Sequence, residues 1–248
     1  MMKPGFSIIK ISERLCDFER EAGVFQIKPV WGYNLDVNEY LDYASRKLYM
    51  YGSLVSPGEL GCSLAHIEAY RKTIKLGIPS LILEDDIALT SDTLHELTRL
   101  TRRFDGNFIH LADYSHLKKY GIRSDNDLYV VSPYLNFWGS SAYWVSPKAA
   151  RLLLAFQSRC PLYADDWAMF FSSFGKSLTP YYYPLFQHEW RIDGLVQERN
   201  RMKPITIKAI LGRKLLRLGI KFSALFDLLR YPCIAPFCPI PNNKPSFF

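Results

Sequence analysis

Residues 56–86 read SPGELGCSLAHIEAYRKTIKLGIPSLILEDD, and the order of signals within them sets the fold class. Ser56 stands where a helix N-cap would, Pro57 at the first helical position, Glu59 three residues on to complete a capping box, and Gly77 where a left-handed C-terminal residue ends the helix. Leu60, Leu64, Ile67, Tyr70 or Arg71, and Ile74 recur at helical spacing and give that helix an apolar face. After Pro79 the chain enters SLIL, a wholly apolar run of the kind that fills the buried strand of a parallel sheet. Three carboxylates, Glu84, Asp85 and Asp86, follow at once. Helix, buried strand and acidic turn in that order describe one unit of an α/β sheet with its ligand end marked by charge.

Working outward, FSIIKI (6–11) reads as the first strand, and SERLCDFEREAG as an amphipathic helix with Ser12 available as N-cap and Gly23 as its stop. VFQIKPVWG returns as an extended segment. Downstream lie a helix at about 91–103, the strand NFIHLAD, a hairpin region at DLYVVSPY, the strand SSAYWV, a helix from SPKAARLLLAF that repeats the Ser cap with Pro at its first position, the helical ADDWAMFFSSFG and a final strand SLTPYYYPLFQ. Strands alternate with helices in the first half. The expectation is a parallel-centred α/β sheet with antiparallel additions later.

The 248 residues suit one large domain, 1–201, followed by a tail, 202–248. Charge separates the two. Residues 1–201 carry 23 basic and 23 acidic side chains, whereas 202–248 carry eight basic ones and only Asp227, so the net +7 resides in the tail. Within it Ile207, Leu211, Leu215, Leu218, Phe222, Leu225 and Leu229 fall on one stripe of a helix and Arg213, Lys214, Arg217 and Lys221 on the other side. That concentrated basic charge favours a helix lying on an anionic membrane surface over a packing helix with a solvated charged face; charge interrupts it too often to span a bilayer. No basic-aromatic recognition motif accompanies the charge, so nucleic acid is not an expected partner. The N-terminus lacks the long apolar run and cleavage site of a signal peptide, which points to the cytoplasm. The five cysteines, odd in number and scattered, form neither a disulfide framework nor a zinc-ribbon spacing and read as reduced thiols, mostly core filler.

Adjacent carboxylates repel unless something positive sits among them or some are protonated. A hard cation, Mn²⁺ or Mg²⁺, bridging one or two of them to a nucleotide diphosphate accounts for the triplet economically; a solvated loop capping the next helix is the plain alternative. Haloacid-dehalogenase chemistry requires Asp-x-Asp-x-Thr/Val after its strand, where this frame reads Glu-x-Asp-x-Ala, and a receiver domain would carry its acids after the first strand of the chain. Asp165 and Asp166 form the other acidic pair in an apolar setting. They suit either a general base or the N-cap and first turn of a helix.

GELGCSLAH (58–66) followed by LILEDD (81–86) resembles the paired signature of glycosyltransferase family 25, which contains bacterial lipooligosaccharide β-galactosyltransferases and the procollagen galactosyltransferases. FQIKPVWG, SSAYWVSPKAARLLL and ADDWAMF are similar to further segments of that family, and the resemblance spans about residues 6–190. It implies a GT-A-type fold with a central mostly parallel sheet, a UDP-sugar donor, usually UDP-galactose, a lipid-linked oligosaccharide acceptor and inversion at the anomeric carbon. Glu84, Asp85 and Asp86 then inherit donor binding, with Asp86 the direct metal ligand and Glu84 beside it if the backbone stays extended. His188 is the candidate for a further metal ligand, Arg14 and His66 for donor contacts, Asp166 or Asp165 for the base, and Trp138 and Tyr143 for an acceptor platform. A membrane-associated nucleotide-sugar-binding scaffold and a nucleotide-sugar hydrolase are the rival functions, and the tail would place the protein on the inner face of the cytoplasmic membrane.

Overall fold

The computed structural model describes residues 5–29, 34–51, 55–102, 104–113, 121–123, 128–131, 139–159, 163–174 and 178–187. Trp138, His188 and the amphipathic tail, all singled out from sequence, lie outside them.

The chain opens with β1 (Ser7–Ile11), α1 (Asp17–Glu21) and β2 (Phe25–Ile27). Ser12 does not cap α1. It prolongs the first strand, its N–H donating to the Ile27 carbonyl at 3.0 Å and its hydroxyl to the Arg14 carbonyl at 2.9 Å, and the helix is capped at Cys16, four residues later than the sequence suggests. Gly23 does mark the stop, with φ +72°.

Next comes α2 (Val37–Tyr51), a helix absent from the sequence expectations although Val37, Leu41, Ala44 and Leu48 recur at helical spacing. Its start is nonetheless written locally: the Asp36 carboxylate accepts from the Asn38 N–H at 2.8 Å and the Asp36 carbonyl from the Tyr40 N–H at 2.9 Å. Then α3 (Pro57–Leu76) follows its sequence grammar throughout. The Ser56 hydroxyl accepts from the Glu59 N–H, the Glu59 carboxylate from the Ser56 N–H, and Gly77 closes the helix at φ +70°.

The remaining elements are β3 (Ser80–Leu83), α4 (Ser91–Thr101), β4 (Phe108–Ala112), β5 (Gly121–Arg123), β6 (Tyr129–Val131), β7 (Ala142–Val145), α5 (Pro147–Arg159), α6 (Trp167–Phe174) and β8 (Tyr181–Phe186). The expected Ser cap of α5 is present: Ser146 Oγ accepts from the Ala149 N–H and donates to Asn107 Oδ1, fastening the helix to the entry of β4.

Among the described residues the eight strands join one sheet in the order β2-β1-β3-β7-β4-β8-β6-β5. Six of them run the same way; β7, inserted between β3 and β4, and β6 oppose them. The sheet is therefore mostly parallel in strand direction, while β7 makes its centre antiparallel in pairing. β1, β3, β4 and β7 are buried along their whole length, as strands covered on both faces must be. Helix α3 packs on β1 and on α5, α5 on α6, and α4 on β8. A second small core, Ala44, Val55 and Leu60 with Tyr40 and Tyr43 against it, seats α2 on the start of α3.

Register then decides where chemistry can collect. Lys10 pairs with Leu83, Ile82 with Tyr143, and His110 with Tyr143. The carboxyl ends of β1, β3 and β4 and the entry to β7 therefore share one edge, where open α/β sheets bind ligands.

Candidate active site at the carboxyl edge of the sheet

Glu84 leaves β3 directly into a tight turn. The Glu84 carbonyl accepts from the Ile87 N–H at 3.3 Å, so Asp85 and Asp86 occupy the corner. The extended backbone that would aim Glu84 and Asp86 the same way is absent, and the three acids separate by environment: Asp85 is exposed, Asp86 half-buried, and the Glu84 side chain 24 % exposed.

Glu84 is held from behind. His66, fully buried on α3, places Nε2 3.0 Å from Glu84 Oε1; the Ser140 hydroxyl donates to the same oxygen; the Glu84 N–H donates to the Ser141 carbonyl at 2.8 Å. The other ring nitrogen of His66, Nδ1, lies 2.7 Å from Tyr143 Oη. Tyr143 is fully buried, its ring packed on Phe108 and Trp167 and beside His66. It turns no face to solvent, and its hydroxyl serves to orient His66. Burial holds the phenol of Tyr143 well above its ordinary pKa, with the neighbouring Tyr70 and Glu84 adding to the effect, and burial raises Tyr70 likewise. Both remain neutral hydroxyls throughout the working pH range.

The second acidic pair is tied to the first through Gly139. The Gly139 carbonyl accepts from Trp167 Nε1–H at 2.6 Å and pairs with His110 Nε2 at 2.8 Å. Gly139 has φ +104°, a conformation that glycine supplies without steric cost. Trp167 is the first residue of α6 and Asp166 immediately precedes it. Asp166 is buried, and its Oδ1 accepts from the Met169 N–H at 3.4 Å, so it sits in the N-cap position that sequence had left open for Asp165. The path Asp166–Trp167–Gly139–Ser140–Glu84 thus fixes the two acidic clusters against one framework.

Arg14 lies exposed on the loop after β1, the strand adjoining β3, which puts it at the same edge. The structure also brings forward residues that sequence did not single out. Ser140 has a cue only in its place just before a buried strand. Asp113 follows β4 and accepts from Tyr182 Oη at 3.2 Å. Lys10 is buried and bridges Glu19 and the Ile87 carbonyl just beyond the turn. Cys62 is half-buried and Cys16 exposed, so neither fills the core as expected. Cys62, His66 and Tyr70 recur every four residues, and that spacing was the available signal that they share a helix face.

A capped helix of Gly-Cys-His type feeding a buried strand and an acidic turn at a carboxyl edge is a specific combination, and it coincides with a recognised family. The sequence model for glycosyltransferase family 25 (LPS biosynthesis protein) matches residues 34–169, more than half of the chain. The chain belongs to glycosyltransferase family 25. No individually curated protein matches it. Family 25 membership supports a transferase that uses a nucleotide-sugar donor and an oligosaccharide acceptor, and the matched region contains both acidic clusters and the helix that orients Glu84. Among the described residues no helix is long and apolar enough to cross a membrane.

Proposed function

We propose that the protein is an inverting, metal-assisted glycosyltransferase that moves a hexose, galactose in the first instance, from its UDP donor to a lipooligosaccharide acceptor. The observation that carries this reading is the shared framework of the two acidic clusters, one on a turn at the ligand edge of the sheet and one buried at the head of α6.

Asp85 and Asp86 offer hard oxygen donors at a corner that a diphosphate could approach, a donor set suited to Mn²⁺ or Mg²⁺. Asp86 is the proposed direct ligand, Glu84 its neighbour, and His188 a further one. Such an ion, when bound, supplies charge neutralisation to the departing diphosphate. The chain's own residues do the rest. His66 and Ser140 fix Glu84 and hence the turn, so that the donor meets a preorganised edge. Arg14, on the adjacent loop, reaches toward the donor.

Asp166 takes the proton from the acceptor hydroxyl as that oxygen bonds to the anomeric carbon, and the bond to the phosphate oxygen breaks with its electron pair leaving on UDP. Asp165, half-buried next to it, is the alternate base. Trp138 would pack on the acceptor ring, and Tyr143 contributes from beneath by orienting His66. The domain 1–201 carries the reaction, while the tail 202–248 holds the enzyme at the inner face of the cytoplasmic membrane, where a lipid-linked acceptor is embedded.

A panel of UDP-hexoses, with Mn²⁺ present or chelated, tests the reading on truncated lipooligosaccharide. The expected outcome is transfer from one UDP-hexose, abolished by chelation. Donor cleavage that proceeds undiminished without acceptor would assign a hydrolase, and donor binding without turnover a scaffold; either rejects the proposal. A chain truncated after Arg201 should lose binding to anionic liposomes.

A further inference from the structure

The proposed reaction places a hard cation beside Asp86, yet the inner side of the acidic turn has a different donor set. Among the described residues, one group of three possible ligand atoms lies together: Cys62 Sγ, a His66 ring nitrogen and a Glu84 carboxylate oxygen, all within 4.8 Å of one another. Cys62 and His66 stand one helical turn apart on α3 and meet Glu84 from the end of β3. We propose that these three side chains form a site for a thiophilic divalent cation of the zinc class.

A thiolate, an imidazole and a carboxylate with a fourth position open are the ligand types and number of a zinc site that keeps room for an exchangeable ligand. Ligand bonds of about 2.0–2.3 Å put tetrahedral ligand atoms roughly 3.3–3.8 Å apart. The observed atoms, none more than 4.8 Å from another, need to close by about 1.5 Å at most, a side-chain adjustment. The surrounding shell is already built: Tyr143 Oη meets His66 Nδ1 at 2.7 Å, and the Ser140 hydroxyl donates to Glu84. Partners of this kind orient metal-bound imidazole and carboxylate groups.

In the metal-free site Nε2–H donates to Glu84 and Nδ1 accepts from Tyr143; because the tyrosine hydroxyl both donates and accepts, the ring proton can move to Nδ1, donate to Tyr143 and leave a lone pair at Nε2. On binding, the Cys62 thiol releases its proton to solvent, and Nε2 exchanges its hydrogen bond with Glu84 for the cation. Sulfur selects against Mg²⁺ and Mn²⁺, which prefer oxygen. Occupancy therefore rearranges the support of Glu84 and couples a soft cation to the posture of the acidic turn.

The proposal concerns residues that the transfer reading also uses, but its test requires neither donor nor acceptor, so the two can fail separately. Full-length protein stripped of metal is titrated with Co²⁺, whose thiolate charge-transfer absorption reports sulfur ligation, and then with Zn²⁺. The expected result is one equivalent of thiolate-bound Co²⁺, displaced by Zn²⁺ and not by Mg²⁺, lost in Cys62→Ser and weakened at least about tenfold in Glu84→Gln. The band should persist in Cys16→Ser. Independently of any variant's folding, Zn²⁺ should slow alkylation of Cys62 in the wild-type chain, read by peptide mass spectrometry. A band that survives Cys62→Ser, no band in the wild type, or an alkylation rate indifferent to Zn²⁺ overturns the proposal.

Discussion

Replacing Lys10 by Met should separate what holds the fold from what positions the turn. Lys10 projects from β1 with 9 % of its side chain exposed, opposite a Glu19 carboxylate that is 2 % exposed. Its ammonium donates to Glu19 and, at 3.0 Å, to the Ile87 carbonyl just past the acidic turn, while the other Glu19 oxygen accepts from the Cys16 N–H at 3.0 Å. Lys10→Met leaves a buried carboxylate with only that N–H, and breaking a buried pair from one side costs about 3–5 kcal/mol. Lys10→Met/Glu19→Leu removes both charges and leaves the Cys16 N–H and the Ile87 carbonyl without these side-chain partners, so it should recover to within about 2 kcal/mol of wild type. Neither variant restores a donor to Ile87, so sugar transfer should stay low in both while stability returns in the second. Urea unfolding followed by tryptophan fluorescence, alongside kcat/KM, reads the two effects. A double variant as unstable as the single one, or one that regains full transfer, would refute the reasoning.

Three further outcomes follow from individual contacts. Glu96, between Arg99 and the Tyr183 hydroxyl, has its carboxyl lowered to about 2, first by the Arg99 hydrogen bond and then by Tyr183. Because the folded value lies below the unfolded one, the stabilisation is complete above the ordinary carboxylate range and disappears as pH falls toward 2; Glu96→Gln should flatten this acid limb in melts at pH 7 and pH 3, by about 1 kcal/mol or less at so accessible a site. Gly77→Ala forces a side chain to φ +70° and should cost about 1 kcal/mol in thermal unfolding without changing transfer. Ser140→Ala removes a hydrogen bond to Glu84 and should lower kcat about tenfold, with circular dichroism unchanged.

Local signals carried much of the fold. Ser56, Pro57, Glu59 and Gly77 act within one helix, and Ser146 with Pro147 starts another, so their geometry was legible in sequence. Ser12 misled because strand pairing to Ile27, a contact 15 residues away, took precedence over capping. The insertion of β7 between β3 and β4 was invisible for the same reason: strand order is a property of pairing across the chain, and nothing in SSAYWV states its neighbours. In the site, the acidic turn and Asp166 stood out because clustered charge beside apolar runs is uncommon. What positions them did not, since Ser140, the Gly139 carbonyl and the Trp167 indole are ordinary in sequence and become connected only when register brings β3, β7 and α6 to one edge.

In the proposed reaction the turn at Asp86 binds the donor while Asp166 moves the proton. Donor affinity and single-turnover transfer, measured together on Asp86→Ala and Asp166→Ala, test it most directly. Asp86→Ala should lose both, whereas Asp166→Ala should bind the UDP-sugar as the wild type does and transfer it at least about 100-fold more slowly. Wild-type transfer rates in both variants would remove both carboxylates from the reaction.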